Sequence, residues 1–463
     1  MRDLRPSILA VVWLSGFGLA ASAQTIQQIF TNGPTATRIN IVFLSEGYTA
    51  AQLGQFPTDA RGVLNQLLNT PPFSLYSNYF NAFAISVAST ESGSDHYTPT
   101  TNLVNTYFNS TYDSYGIQRL ITIPPNDRDS NAARGEGKVT TLLQTLMPQY
   151  DIVALIVNDG VYGGSGGTYL LTSINSSAPE IAVHELGHSF AKLGDEYSSP
   201  FLGYPDTEEP NTTTQTNRSL IKWRAWILDA TPIPTPEISP YLDFVGLFEG
   251  AHYHTTGWYR PKFNCKMNHL GVPFCEVCSE ALVKSMYGQI RPIESFSPGT
   301  NTLITLTNSS TTNLSVVSLM PSGGSVGIQW FTNDVPVPGA TSPSLMVSGF
   351  SLPPGTNQVK VEVVDMSSTV RTDPTLLLKD SRTWKVKAVV IPQPTLAAVR
   401  AGSRVIISWP TNNTSGFLLE GTNYLAATTA WPRVTNSTVV TNNQNTVTVD
   451  LLGPLRFFRL RKP

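Results

Sequence analysis

The residues that can carry metal or proton chemistry are confined to one part of this chain of 463 residues. All six histidines and all three cysteines precede residue 280, and the segment after residue 297 contains neither type. A site built from such residues must therefore lie in the first part. The pattern of apolar residues also changes near residues 295–299, so the two parts are expected to fold differently.

The first part alternates strand-like and helix-like segments. Apolar runs predict strands, and apolar residues at helical spacing predict helices. The predicted strands are 38–48, 80–89, 151–157 and 168–172, and the predicted helices are 51–68, 137–146 and 276–289. Such alternation favours a layered α/β (α+β) domain, which we place at residues 24–296.

The second part consists of short strand candidates separated by Pro, Gly and Asn. These candidates are 316–319, 326–331, 358–364, 383–390, 404–409 and 446–451. Regularly spaced short strands predict β-sandwich modules. We expect an immunoglobulin-like module at 297–391 and a fibronectin-like module at 392–463, so the predicted fold class is multidomain.

Residues 1–23 have the pattern of a cleavable secretory signal. Two arginines precede an apolar run that ends in Ala21-Ser22-Ala23, which is the small-residue cleavage pattern of a signal peptide. The alternative is a retained membrane anchor, which needs about 20 apolar residues. Cleavage after Ala23 would release a secreted, extracellular or periplasmic protein with no membrane span.

The charge balance excludes one class of partner. The net charge is −2, with 30 Lys and Arg against 32 Asp and Glu. A nucleic-acid-binding protein needs a basic surface to neutralise phosphates, so we expect no nucleic-acid partner.

The most informative stretch runs from Ser177 to Tyr197 and predicts a helix. Ser177 and Glu180 are spaced as a capping box, and Pro179 stands in the first turn, where its missing N–H is tolerated. Gly194 is expected to end the helix in a left-handed conformation.

This helix contains the pattern His-Glu-x-x-His. His184 and His188 are four residues apart and so share one helix face, from which both imidazoles can bind one zinc ion. Glu185, beside them, is placed to act as general base for an activated water and to pass the proton to the leaving amine. The alternative is a surface helix in which the pattern arose by chance.

A third zinc ligand must follow this motif. The metzincin pattern, with Gly and then a third His, fails because Ala191 and Gly194 occupy those places. Asp195 is the preferred ligand, since it follows directly after the predicted end of the helix. Glu196 and the pair Glu208 and Glu209 remain the alternatives.

The three cysteines, Cys265, Cys275 and Cys278, lie within one short segment. In an exported protein the simplest interpretation is one disulfide from Cys265 to one of the other two, with one thiol left over. The alternative is a small zinc knot in which His269 supplies the fourth ligand.

At this point the chain resembles the IgA-peptidase family of zinc metallopeptidases over residues 28–290. The blocks that carry the resemblance are 38–48, 80–81, 92–96, 158–167, 184–197, 222–223, 246–251, 259–261, 265–267 and 273–278. The resemblance implies a metalloendopeptidase in which both histidines and the aspartate after the motif bind zinc and Glu185 is the general base. It also implies that Met267 lies beneath the metal, and that residues 163–172 form an edge strand for an extended peptide.

A donor near the developing oxyanion is also required. The residues of suitable type in this region of the family resemblance are His252, Tyr253, His254, Tyr259 and Arg260. Among them we prefer Tyr259 to Tyr253 as a catalytic residue. His96 is expected to be structural, and His269 to lie on the surface.

These observations predict a secreted metalloendopeptidase with one catalytic Zn²⁺ that cuts extracellular protein or peptide substrates. The β modules would contact a polymer or a cell surface, or act as spacers. One alternative is a non-catalytic surface- or polymer-binding protein that keeps the peptidase fold. Another is a zinc hydrolase acting on a non-peptide amide or ester.

Overall fold

The apolar runs of the first part form the centre of a six-stranded sheet. The structure is a computed structural model that describes residues 24–201, 203–412, 414–426, 430–451 and 455–462, so the predicted signal peptide lies outside the described residues. The strands follow the order β1-β3-β2-β4-β6-β5. Their bounds are β1 (Thr25–Phe30), β2 (Ile39–Glu46), β3 (Phe80–Ser86), β4 (Ile152–Val157), β5 (Gly164–Ser165) and β6 (Leu170–Ser173).

The four inner strands β3, β2, β4 and β6 run parallel, and β1 and β5 lie antiparallel at the two edges. Every residue of β2 and β4 is buried. Continuous apolar runs are typical of parallel strands that are covered on both faces. The four strands predicted in this part are confirmed, with ends shifted by a few residues.

Helices cover both faces of this sheet. Their bounds are α1 (Phe56–Asn69), α2 (Glu136–Leu146), α3 (Ala178–Ala191) and α4 (Glu276–Gln289). Ile41 and Phe43 of β2 belong to one core with α1, α3 and α4, whereas Val42 and Leu44 belong to a second core with α2. Successive strand residues point to opposite faces, so the one strand serves both cores. The predicted α/β layering is confirmed.

A hairpin that the sequence did not predict follows later in the chain. Strands β7 (Phe248–Ala251) and β8 (His254–Arg260) pair antiparallel. His252 and Tyr253 form the turn between them, with φ of 53° and 58°. Two consecutive residues with positive φ suit the right-handed twist of a tight hairpin.

After residue 291 the described elements are strands. Their bounds are β9 (Ile293–Ser297), β10 (Ile304–Thr307), β11 (Thr311–Ser318), β12 (Val326–Thr332), β13 (Val335–Pro336), β14 (Ser344–Ser348), β15 (Gly355–Asp365), β16 (Lys379–Val389), β17 (Ala397–Ala401), β18 (Arg404–Pro410), β19 (Leu418–Thr422), β20 (Val439–Thr441), β21 (Gln444–Asp450) and β22 (Phe457–Arg461). The six strands predicted in this part are confirmed within these bounds. Over the described residues the protein is thus mixed α/β, with many sheets and few helices.

Two sheets after residue 291 share one core. A five-stranded sheet has the order β10-β16-β15-β12-β13, and a three-stranded sheet has the order β14-β11-β9. Trp330 and Trp384 are fully buried between them and stack at a ring separation of 5.6 Å. Because β9 starts at Ile293 and pairs with β11, the β region begins a few residues before the boundary expected at residue 297.

A separate small core follows in the last segment. It contains Val405, Ile407, Trp409, Leu419, Val447 and Val449. Among the described residues, no helix has the length and apolar character needed to cross a membrane.

Candidate metal centre

Helix α3, which contains the His-Glu-x-x-His motif, follows β6 and packs with its apolar residues in the first core. It begins after Ser177 with Pro179 in its first turn, as predicted, but the Ser177 side chain makes no cap hydrogen bond. The expected capping box is therefore wrong. Glu180 instead accepts hydrogen bonds from Lys266 Nζ at 2.6 Å and from the Gly271 N–H at 2.8 Å.

The end of α3 also differs from the expectation. Lys192 adopts the left-handed conformation with φ 55°, and its N–H bonds back into the last helical turn. Gly194 does not end the helix. It packs against Glu209, and its N–H donates to Asn211 Oδ1 at 2.7 Å. The early stop at Lys192 turns the next residues back along the helix.

The two histidines of α3 face each other. Their Nε2 atoms are 3.1 Å apart. His184 Nδ1 lies 2.8 Å from the Lys266 carbonyl oxygen, and His188 Nδ1 lies 2.7 Å from that of Leu193. A carbonyl only accepts hydrogen bonds, so each Nδ1 must be the donor. In the neutral rings both Nε2 lone pairs then point into the same small space.

Asp195 completes this group. Its Oδ1 is 3.1 Å from His184 Nε2 and 3.4 Å from His188 Nε2. This Oδ1 is buried and has no hydrogen-bond partner among the described residues. Zinc at its usual distances of 2.0–2.2 Å from N and O ligands would hold tetrahedral ligand atoms about 3.3 Å apart. The three acceptor atoms therefore fit one metal ion.

The charges of the three residues agree with this reading. Burial alone would lower the pKa of both imidazoles, but the Asp195 carboxylate outweighs it. The pKa of His184 is raised above its ordinary value, and the pKa of His188 is raised to about 9. Burial opposes ionisation of Asp195 as well, yet the histidines hold its pKa well below the ordinary value. The site thus favours positive charge, which a bound cation would supply.

Glu185 lies beside this centre under a glycine-rich segment. A Cβ placed on Gly166 would lie 2.7 Å from the Glu185 carbonyl oxygen and 3.1 Å from its Oε2. Burial raises the pKa of Glu185, and the nearby imidazoles and the Gly166 N–H offset only part of that rise. The carboxyl therefore holds a proton more strongly than an ordinary glutamate does.

Met267 packs directly against α3, as the family resemblance implies. It is fully buried, and a Cβ on Gly187 would lie 2.7 Å from its sulfur atom. Gly187 stands between the two histidines on the helix, so its missing side chain makes room for Met267. The Met267 carbonyl also accepts the Glu196 N–H at 2.9 Å.

The turn of the β7–β8 hairpin brings Tyr253 to this centre. The His252 N–H donates to the Asp195 carbonyl at 3.0 Å, and the Tyr253 N–H donates to that of Tyr197 at 2.8 Å. These bonds place the Tyr253 hydroxyl 2.5 Å from Asp195 Oδ2. Burial and the Asp195 charge raise the pKa of Tyr253, so its hydroxyl stays protonated and donates.

Tyr259, the preferred catalytic tyrosine from the sequence, lies elsewhere. This residue is 8% exposed and belongs to the first core, the one that contains α1, α3 and α4. Its backbone exchanges hydrogen bonds with Thr213 at 3.1 and 2.8 Å. The two tyrosines are six positions apart in one hairpin, and only Tyr253, in the turn, reaches the aspartate. Tyr253, rather than Tyr259, is thus the tyrosine in contact with the proposed metal ligands, and an oxyanion donor role for Tyr259 stays a prediction.

The alternative third ligands take other positions. Glu208 pairs with Lys222 at 3.0 Å and accepts from the Thr214 N–H at 2.8 Å. Glu209 lies 3.0 Å from His252 Nδ1. Glu196 points away from the histidines, towards the cysteines. The structure thus brings Asp195, and not these residues, to the two imidazoles.

His96 lies outside the metal-binding group. Its Nε2 is 2.8 Å from Asp159 Oδ2, and its ring stacks on Tyr112 at 4.3 Å. Both contacts are of the kind expected for a structural histidine.

The expected disulfide is not formed. Cys265, Cys275 and Cys278 are all free and buried. The sulfur atoms of Cys265 and Cys278 are 3.6 Å apart, whereas a disulfide bond is about 2.05 Å long. His269 is exposed and does not join them; Glu196 lies there instead.

The family described as IgA Peptidase M64 matches residues 27–241 and 237–286, which is more than half of the chain. The chain belongs to the IgA peptidase M64 family. The resemblance found over residues 28–290 is therefore confirmed, and the protein is a peptidase, a hydrolase that binds protein substrate. M64 peptidases are metallopeptidases, and the group of His184, His188 and Asp195 could hold a metal ion.

Other comparisons add little to this family assignment. No curated protein matches the chain. A chain of the chaperone–tip adhesin complex of CFA/I fimbriae biogenesis is 12% identical, covers 36% of this chain and 90% of its own, and has a TM-score of 0.14. A chain from titin domains z1z2 in complex with telethonin is 11% identical, with coverages of 35% and 82% and a TM-score of 0.16. Such TM-scores say nothing about the fold of this M64 peptidase.

Proposed function

We propose that this M64 peptidase is a secreted, zinc-dependent metalloendopeptidase that hydrolyses peptide bonds of extracellular proteins. One observation carries the proposal: the Nε2 atoms of the buried His184 and the half-buried His188 and Oδ1 of the buried Asp195 face each other at 3.1–3.4 Å. When both imidazoles are neutral, three acceptors at this separation repel one another unless a metal ion lies between them. Imidazole and carboxylate ligands in a three-residue set are typical of catalytic zinc.

Zinc bound by these three residues would supply an activated water and polarise the carbonyl of the scissile bond. Glu185 is the proposed general base. Its raised pKa suits a group that takes a proton from the attacking water and returns it to the leaving amine. Tyr253 is a positioning residue, because its hydroxyl holds Asp195 Oδ2 and so aims Oδ1 at the two imidazoles.

The glycine-rich segment beside Glu185 is the proposed peptide-binding edge. At Gly164 the outer edge of β5 is already occupied, because Gly164 exchanges backbone hydrogen bonds with Arg119 and Ile121 at 3.2 and 3.4 Å. From Gly166 to Thr168 the chain is exposed. An extended substrate would therefore pair from Gly166 onward, which is also where the segment passes over Glu185.

The remaining assignments are part of the same proposal. Residues 1–23 would be a signal peptide that directs the protein to a secreted, extracellular or periplasmic location. The peptidase domain would be followed by an immunoglobulin-like module and a fibronectin-like module, with the first boundary moved to about residue 292 by the position of β9. A polymer or cell-surface contact would belong to these modules.

The test is metal content and casein hydrolysis of the mature protein and three variants. For Glu185→Gln we expect normal zinc and an activity loss of about 10²–10⁴-fold, because the base is lost and the ligands remain. For Asp195→Ala we expect loss of the catalytic zinc and of activity. Glu208→Gln is the matched control, since this carboxylate pairs with Lys222 away from the centre, and it should keep both.

Two results would contradict the proposal. If the wild type contains no zinc and a chelator leaves its activity unchanged, the protein is not a zinc peptidase. If Asp195→Ala retains as much zinc as the wild type, the third ligand is wrongly assigned.

A further inference from the structure

A second group of metal-binding side chains lies behind the first. We name Cys265, Cys275 and Cys278 the thiol cluster. Their sulfur atoms and a carboxylate oxygen of Glu196 all lie within 4.8 Å of one another. Cys265, Cys278 and Glu196 are fully buried, and Cys275 is 3% exposed. The group shares no residue with the proposed catalytic centre.

The sulfur separation is that of metal ligands rather than of a covalent bond. Cys265 Sγ and Cys278 Sγ are 3.6 Å apart. Zinc–sulfur bonds of about 2.3 Å in a tetrahedron place two sulfur ligands about 3.8 Å apart. Three cysteines also cannot all pair, so a single disulfide would leave a buried thiol beside the carboxylate.

Glu196 supplies an independent indication of a cation site. Its Oε1 accepts from Asn211 Nδ2 at 2.9 Å and lies 3.5 Å from Cys278 Sγ. Its Oε2 is buried without a hydrogen-bond partner among the described residues. A buried carboxylate oxygen with no partner is costly, and a coordinated metal ion removes that cost.

Burial raises the pKa of the Cys265 and Cys278 thiols, and two backbone features oppose that rise. The Cys275 N–H donates to Cys265 Sγ at 3.3 Å, a contact that stabilises negative charge on sulfur. Cys275 caps the N-terminus of α4, a helix of 14 residues, and Cys278 lies in its first turn. The helix dipole favours anionic sulfur at both positions.

We propose that the thiol cluster and Glu196 bind one structural zinc ion. Soft thiolate ligands select zinc over calcium or magnesium. Four protein ligands would close the coordination sphere, and closed four-coordinate sites are structural, whereas catalytic sites keep one open position. Binding releases the thiol protons to solvent.

This ion would hold the supports of the catalytic centre in place. Glu196 directly follows Asp195, and its N–H donates to the Met267 carbonyl at 2.9 Å. The neighbouring Lys266 carbonyl accepts from His184 Nδ1 at 2.8 Å. The thiol cluster thus joins the loop after α3, the loop bearing Lys266 and Met267, and the start of α4.

The experiment measures zinc by elemental analysis in the full mature protein, purified without chelator. We expect about two zinc ions per chain in the wild type. The double variant His184→Ala and His188→Ala should keep about one, and adding Cys275→Ser should remove it. His269→Ala in the same double-variant background is the matched control, because this exposed histidine was the other candidate ligand, and it should keep about one.

Cobalt provides a second readout that does not depend on activity. Cobalt exchanged into the histidine double variant should show thiolate-to-cobalt charge-transfer absorption, and Glu196→Gln in that background should change its ligand-field bands. Alkylation of the denatured wild type with chelator, followed by mass spectrometry, should label three thiols. This last measurement needs no variant to fold.

The proposal is overturned if the histidine double variant contains no zinc. Alkylation then shows what the cysteines form instead: one labelled thiol indicates a disulfide, and three labelled thiols indicate free cysteines without metal. Equal zinc loss in the His269→Ala control would overturn the ligand assignment. Failure of the proposed catalytic function would give a different result from failure of the thiol-cluster proposal. The wild type and the histidine double variant would then both contain about one zinc ion, and both would show thiolate-to-cobalt absorption after exchange.

Discussion

At the scale of single residues, the proposed metal centre depends on the hydrogen bond that each proposed ligand makes through the atom that does not face the metal. His184 and His188 each donate Nδ1–H to a backbone carbonyl, and Asp195 Oδ2 accepts from Tyr253. These bonds leave Nε2, Nε2 and Oδ1 as the free acceptors. Outer hydrogen bonds of this kind orient metal ligands, so residues that never touch the metal are expected to affect its affinity.

The two tyrosines of the hairpin provide a matched test at this scale. We expect Tyr253→Phe to lower catalytic-zinc affinity or activity by about 10–100-fold, because Asp195 loses the hydrogen bond that orients it. Tyr259→Phe should have a much smaller effect, since this ring lies in the core. The measurement is zinc titration of both variants together with kcat and KM. A larger loss in Tyr259→Phe would restore the assignment made from the sequence.

At the scale of elements, the centre depends on how closely α3 approaches its neighbours. Glycines allow this close approach at two places, Gly166 above Glu185 and Gly187 beneath the histidines. A Cβ added at Gly187 would lie 2.7 Å from the Met267 sulfur atom. A glycine inside a helix usually lowers stability relative to alanine by about 1 kcal/mol. At Gly187 this loss is offset by close packing against Met267.

Gly187→Ala therefore should behave unlike an ordinary glycine replacement in a helix. We expect the free energy of unfolding to fall by about 1 kcal/mol, because overpacking by about 1–3 kcal/mol exceeds the gain in helix propensity. Gly62→Ala in α1 is the control. Gly62 is exposed with no atom near its added Cβ, so this change should stabilise by about 0.5–1 kcal/mol. Urea unfolding of both variants measures the difference, and equal shifts would contradict the packing argument.

At the scale of the whole molecule, the first β region is joined to the peptidase part through buried polar contacts. Asp365 Oδ2 accepts from the hydroxyls of Tyr76 at 2.7 Å and Tyr287 at 2.9 Å. Tyr79 shares a hydroxyl contact of 2.8 Å with Tyr287 and donates to the Leu319 carbonyl at 3.0 Å. Leu319 and Leu378 belong to the same core as α3. The two parts should therefore unfold together.

Removal of the Asp365 carboxylate tests this coupling. We expect Asp365→Ala to lower the free energy of unfolding by about 3 kcal/mol, because two buried hydroxyls lose a charged acceptor. The control is Asp450→Ala, since Asp450 is 62% exposed and pairs with Arg404 at 3.0 Å, where a change below about 1 kcal/mol is expected. Calorimetry should show one transition for the peptidase part and first β region in the wild type. Two separate transitions there would contradict the coupling.

The sequence by itself determined the features that depend on neighbouring residues. The period of apolar residues places α1, α2 and α4 and the inner strands, and the spacing of four residues places His184 and His188 on one face of α3. It also determined the family, because its blocks stand in order along residues 28–290. Periodicity and helix geometry act over a few residues and can be read locally.

Only the tertiary structure decided which distant residues meet. It stopped α3 at Lys192 instead of Gly194, brought Tyr253 and not Tyr259 to Asp195, and placed Glu196 rather than His269 beside the three cysteines. The tyrosine contact joins residues 58 positions apart. Such contacts depend on the paths of loops and on the turn of the β7–β8 hairpin. The sequence offers several residues of suitable type in the same region, and only the packing of the chain selects one of them.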